Sequence, residues 1–123
     1  MSLKHDFQHL RLSRVNDVVV VEIISKDLQG PEAARELGAE LSLVASQDWA
    51  KQLLIDLRRI AYLSSTGFAV IVKLVTRFTS AGGKIKLCNM ESSLRLGAEI
   101  IGLDKLVEIH DSEASALAAF GHA

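Results

Sequence analysis

The chain has 123 residues, a net charge of −1 with signs mixed along its length, 49% hydrophobic and 24% charged residues, which fits one globular domain over residues 1–123 with a real core. No basic face is evident, which argues against nucleic acid as the main partner; no apolar run approaches a membrane span, and MSLKHDFQHLRLSR has no apolar signal core. The single cysteine, Cys88, excludes an internal disulfide and fits a reducing compartment, so a cytoplasmic location is expected.

Residues 1–8 form a polar, loosely ordered lead-in. Leu10, Leu12 and Val15 alternate with His9, Arg11 and Ser13, the pattern of a half-buried strand. Asn16-Asp17 is a turn pair. Val18 to Ile24 is rich in β-branched residues and predicts a second strand, joined to the first as a hairpin. Ser25 to Gly30 is a loop, and Pro31 fits the first turn of a helix. Leu37, Leu41 and Val44, with Ala33, Ala34 and Ala45, make an amphipathic stripe to about Ser46. Trp49 follows, with covering an edge of the core favoured over forming a ligand platform.

The central stretch runs from Leu53 to Phe78. Leu53, Leu54 and Ile55 are a short apolar run bounded by charge, a buried strand. Ser64, Ser65, Thr66 and Gly67 precede a dense apolar run to Phe78 that is too long for a strand. Its polar breaks Lys73, Thr76 and Arg77 cluster on one helical face, so a mostly buried helix is predicted. The hydroxyls then sit at its start, where oxygens accept from free backbone N–H groups. Local spacing leaves two readings open. The hydroxyls form a cap and a tight turn, or they form a phosphorylation switch in which a charge of about −2 meets the positive end of the helix dipole.

Ala81-Gly82-Gly83 ends the helix. TSAGGK lacks the spacing of a phosphate-binding loop and follows a helix, so it is rejected as one. Lys84 to Asn89 alternates as a strand. Glu91 to Ile101 is a helix closed by Gly102, with Leu94, Leu96, Ala98, Ile100 and Ile101 apolar. Leu106 to Ile109 is a fifth strand. Asp111 or Ser112 caps a last helix, with Ala114, Leu117, Ala118 and Phe120 facing in. The order β-β-α-β-α-β-α-β-α predicts an α/β fold: a mixed, mostly parallel sheet of four to five strands flanked by about four helices.

The catalytic inventory is thin. His5, His9, His110 and His122 have no metal-ligand spacing with one another or with Cys88. No nucleophile elbow or dinucleotide fingerprint exists, and no cofactor is implied. Cys88 is a buried strand residue rather than a nucleophile. Asp56, a strand-end acid near the hydroxyl loop, is favoured as a solvated charge or a loop-bonding group over a general base. Arg58 and Arg59 could hold a phosphate or an acidic partner, or be ordinary surface arginines, which are common.

LLIDL, the SSTG loop, AGGKIKLCN and IIGLDKLVEIHDSEASAL, in that order, resemble the STAS family, the anti-sigma factor antagonist domain, from about Val18 to Phe120. The resemblance implies a small α/β domain that binds proteins and catalyses nothing. Such antagonists dock on a serine-kinase anti-sigma factor, a histidine-kinase-like ATPase, and free the sigma factor. The kinase then phosphorylates a Ser or Thr in an Asp-Ser-Ser/Thr-Gly loop, docking is lost, and a PP2C-type phosphatase belongs to the same circuit. By resemblance Ser65 falls on the phosphoacceptor, with Thr66 as the alternative, and Gly67 on the family glycine. Ser64 stands where Asp is usual; it can cap but carries no charge. Asp27 stands in for an acid often found in the preceding loop, and Ser64, Ser65, Thr66, Gly67, Asp27 and Asp56 make up the expected docking loop. The alternative is a STAS module of a stressosome or a lipid-transport ABC complex, docking without phosphate. A small enzyme or a nucleotide binder is a third possibility, with no residues committed to it.

Overall fold

The structure, a computed structural model, describes residues 7–121; most of the expected lead-in, with His5, and His122 lie outside the described residues. Strand β1 (Leu10–Val15) and β2 (Val18–Ile23) form the predicted antiparallel hairpin, turning at Asn16, whose φ of 55° suits an Asn in a tight turn. Helix α1 (Pro31–Ala45) leads to β4 (Gln52–Asp56), α2 (Ser65–Ser80) to β6 (Lys84–Cys88), and α3 (Ser92–Ile101) towards β7 (Glu108–His110). Between β2 and α1 lies β3 (Asp27–Leu28), and between β4 and α2 lies β5 (Tyr62–Leu63). Helical turn α4 (Leu103–Leu106) precedes β7, and α5 (Glu113–Ala119) closes the described chain.

The main sheet has the order β1-β2-β4-β6-β7, parallel everywhere except in the hairpin. Every residue of β2 is buried, as a strand covered on both faces requires. Alternation splits the strands between two layers. Val19, Val21, Ile23, Leu53, Ile55 and Leu87 join the large cluster with α1, α2 and α3. Val18, Val20, Leu54 and Cys88 face the other way, onto Ala116 and Phe120 of the α5 segment. Trp49 packs half-buried at the edge of the large cluster, as expected.

Several expectations need correction. Ser25 to Gly30 is not loop throughout: β3 pairs in parallel with β5, Asp27 opposite Tyr62 and Leu28 opposite Leu63. The fifth main strand begins at Glu108, not Leu106, because Leu103–Leu106 continues as a helical turn after the left-handed Gly102. At the last helix Phe120 is buried and Leu117 half-buried as expected, but Ala116 faces the core in place of Ala114 and Ala118, which are exposed, because residues 116 and 120 share one helical face and 114 and 118 lie on another. Helix α2 buries one stripe, Gly67, Ile71, Leu74, Val75 and Phe78, rather than most of its surface. Phe7 and Gln8, expected in the lead-in, are tied down: Phe7 packs on the core and the Gln8 N–H donates to Glu40 Oε2 at 2.8 Å. His9, expected on the outer face, is buried between Ser25 and Glu36, its ring bonding to both side chains.

Candidate functional site

Helix α2 begins where the sequence places it. Ser64 is extended at φ −71° and ψ 169°, and its Oγ accepts the Gly67 N–H at 3.2 Å. Its carbonyl accepts the Phe68 N–H at 2.9 Å, the first helical bond. The serine thus holds one of the donors that a helix start leaves unpaired. Ser65 and Thr66 follow in the first turn, both exposed, while Ser64 is half-buried and Gly67 buried. No acid lies in that turn, so the helix itself supplies no charge opposite the positive end of its dipole.

Gly67 is fixed by packing. A Cβ added there would lie 2.5 Å from Leu63 Cδ1 and 2.8 Å from its Cγ. Leu63 is itself buried and held in β5 by pairing with β3. The small sheet therefore anchors the hydroxyl turn, and it brings the backbone of Asp27 to the strand immediately before that turn. The resemblance grouped Asp27 with Ser64 to Gly67; the β3–β5 pairing was not legible in the sequence, because two residues carry no periodicity.

Asp56 is placed differently from the expected docking loop. It is 2% exposed, on the α5 side of the sheet. Its Oδ1 accepts the Arg58 N–H at 3.0 Å and Asn89 Nδ2–H at 3.2 Å. It is a loop-bonding group beneath the surface, neither a solvated charge nor an accessible docking residue, because the strand register directs it inward beside Leu54. Glu22, its neighbour in register on β2, was not singled out in the sequence. It is buried and takes Arg58 Nη2 and Arg59 Nε, each at 3.0 Å, on one oxygen, and Arg11 Nη1 at 3.5 Å on the other. Arg58 and Arg59, candidates for holding an outside anion, are engaged by this carboxylate. Burial opposes the Glu22 charge, but the Arg58 and Arg59 hydrogen bonds outweigh it and hold its pKa below the ordinary carboxylate range. The Cys88 thiol is pushed up to about 12 by burial, with the Asp56 charge adding to it.

Beside the hydroxyl turn, α3 meets α2 at Gly97, where a Cβ would come 3.2 Å from the Phe68 ring. Its exposed residues mix Ser92, Ser93 and Glu99 with large apolar side chains. Ile100 is 77% exposed, and Leu96, Ile101 and, on α4, Leu106 are each more than half exposed. Sequence periodicity marked these positions as apolar but gave no sign that they face solvent. Leu96 and Ile100, four residues apart, share one face of α3, a candidate contact surface. Among the described residues, no group of three His, Cys, Asp or Glu side chains comes together as a metal site, and no helix is long and apolar enough to cross a membrane.

The sheet, its unequal helical layers and the capped hydroxyl turn define a class: small α/β domains that expose alcohols at the start of a central helix. The STAS domain model matches residues 14–116, and the chain belongs to the STAS domain family. It is 29% identical over 87 residues to BtrV of Bordetella bronchiseptica, named as an anti-sigma factor antagonist, covering 71% of this chain and 74% of that protein. Among solved structures it resembles tm1081 of Thermotoga maritima, named as an anti-sigma factor antagonist, with a TM-score of 0.83, 19% identity, and coverage of 97% of this chain and 100% of the other. It also resembles the phosphorylated form of the Bacillus cell fate determinant SpoIIAA, with a TM-score of 0.67, 17% identity, and coverage of 90% and 98%. At those identities the likeness of the solved structures is one of fold.

Proposed function

We propose that this chain is a cytoplasmic anti-sigma factor antagonist without catalytic activity of its own. It docks on a serine-kinase anti-sigma factor, a histidine-kinase-like ATPase, and so releases a sigma factor. Phosphorylation of Ser65, with Thr66 the alternative acceptor, ends the docking, and a PP2C-type phosphatase restores it. The observation that carries this reading is the exposure of Ser65 and Thr66 in the first turn of α2, with Ser64 committed to the cap. The cap leaves the next two hydroxyls to a kinase. A dianion there gains from the helix dipole, so the fold tolerates it. A partner seated across the turn and the apolar side of α3 would have to desolvate that dianion. Asp27, Ser64 and Gly67 belong to the framework of the same docking loop.

A second reading has one observation in its favour: Ser64 carries no charge where the family usually has Asp. In it the same surface is a constitutive docking face in a stressosome or a lipid-transport ABC complex. One experiment separates the two. The serine kinase that binds this chain is incubated with it and ATP, and the product is mapped by mass spectrometry. A single phosphate at Ser65 or Thr66, with Ser65→Asp weakening docking at least tenfold, is the expected result. Unmodified hydroxyls, with docking indifferent to Ser65→Asp, would leave the second reading.

A further inference from the structure

Away from the hydroxyl turn, α1 and α2 leave a cleft of about 550 Å³ between them. Its floor is Leu41, Leu74 and Phe78, all nearly buried. Its walls are small, with Gly38, Ala39 and Ala45 on α1 facing Val70 on α2. At Gly38 the two helices come close, since a Cβ there would lie 3.5 Å from both Val70 Cγ1 and Cγ2. Three cations stand at the rim: Arg35 on α1, and Lys73 and Arg77 one turn apart on α2. Among the described residues, no acid lines the cleft. None of the three cations has an ion pair among the described residues, whereas Arg11, Arg58, Arg59, Lys86 and Arg95 all do. The mixed charge along the sequence hides this grouping, because its members come from two helices.

An apolar trough under unpaired cations selects an occupant that is apolar along its length and anionic at its end. The volume lies within the roughly 300–1,000 Å³ of small-molecule sites. A helix about 10 Å across would occupy roughly 1,300 Å³ over three turns, so it would ride on the rim and leave the floor empty. A second copy placed isologously would set the same three cations against their equivalents, an unfavourable contact. We infer that the α1–α2 cleft is a binding site for a single-chain anionic amphiphile, a fatty-acid carboxylate being the simplest. The alkyl chain lies on Leu41, Leu74 and Phe78, and the carboxylate meets Arg35, Lys73 or Arg77.

The test uses the full chain and dodecanoate below its micelle threshold. Titration calorimetry is paired with amide chemical shifts, and dodecyltrimethylammonium serves as the control of equal chain length. Saturable one-to-one binding is expected for the carboxylate, at least tenfold tighter than for the ammonium, with shifts centred on Gly38, Ala39, Val70 and Ala81. The double substitution Lys73→Glu with Arg77→Glu should cost at least tenfold in affinity while the fold is retained by circular dichroism; because Arg77 lies in the last turn of α2, the melting temperature should fall by a few degrees at most. Ala39→Leu should block the chain while leaving the cations in place. Absent binding, equal binding of the ammonium, indifference to the charge reversals, or shifts located elsewhere would overturn the assignment. Dodecanoate failing while a helical peptide with Glu at i, i+4 beside an apolar stripe binds would overturn it in favour of a protein partner. A dimer that the charge reversals abolish, without amphiphile binding, would give the cleft to a second copy.

Discussion

Replacing Ser64 by Ala removes the oxygen that holds the Gly67 N–H and leaves everything else at the turn in place. Loss of a serine N-cap costs about 1 kcal/mol, within a range of roughly 0.5–2. Gly67 is buried, which limits water as a substitute partner and places the expected cost in the upper half of that range. For a chain of this length the melting temperature should fall by about 3–5 °C per kcal/mol. Ser64→Asp keeps an acceptor and adds a negative charge at the positive end of α2, so it should gain about 0.3–1 kcal/mol at low ionic strength and lose most of that in high salt. Urea unfolding followed by circular dichroism, at low salt and at about 1 M salt, measures both. If Ser64→Ala unfolds at the wild-type midpoint, or Ser64→Asp is the less stable protein at low salt, Ser64 is not the cap. The reason for regarding Ser65 and Thr66 as the spare hydroxyls then disappears.

Gly67→Ala should destabilise despite alanine's preference for helices, because overpacking against Leu63 costs about 1–3 kcal/mol against a propensity gain of about 1; a more stable variant would mean that Leu63 repacks freely. Glu22 has a folded pKa below its unfolded value, so its ion pairs stabilise above the ordinary carboxylate range, and that contribution disappears as pH falls through the folded value. The stability gap between wild type and Glu22→Gln should accordingly narrow on going below about pH 4.5, and a gap that widens in acid would contradict this. Cys88, with its thiol near 12, should resist iodoacetamide at pH 8 until the protein unfolds, as peptide mapping of the native protein would report. Leu96→Ser with Ile100→Ser should leave stability within about 0.5 kcal/mol, as exposed positions do, yet weaken partner docking in a binding titration; unchanged docking would remove α3 from the interface.

The sequence by itself determined the elements with strong local signals. The β-branched run of β2, the 3.6-residue stripe of α1 behind Pro31, and Ser64 ahead of the apolar run of α2 each express a constraint acting within a few residues, and each appears where the spacing puts it. Tertiary structure decided what depends on residues far apart in the chain. Register turned Asp56 inward and set it beside Glu22, whose carboxylate then claimed Arg58 and Arg59. Pairing of Asp27–Leu28 with Tyr62–Leu63 gathered the hydroxyl turn, although two-residue strands leave no period to detect. Helix phase put Leu96 and Ile100 in solvent, and packing of α1 on α2 brought Arg35, Lys73 and Arg77 around one trough. Periodicity tells which residues share a face; only the packed chain decides what that face meets.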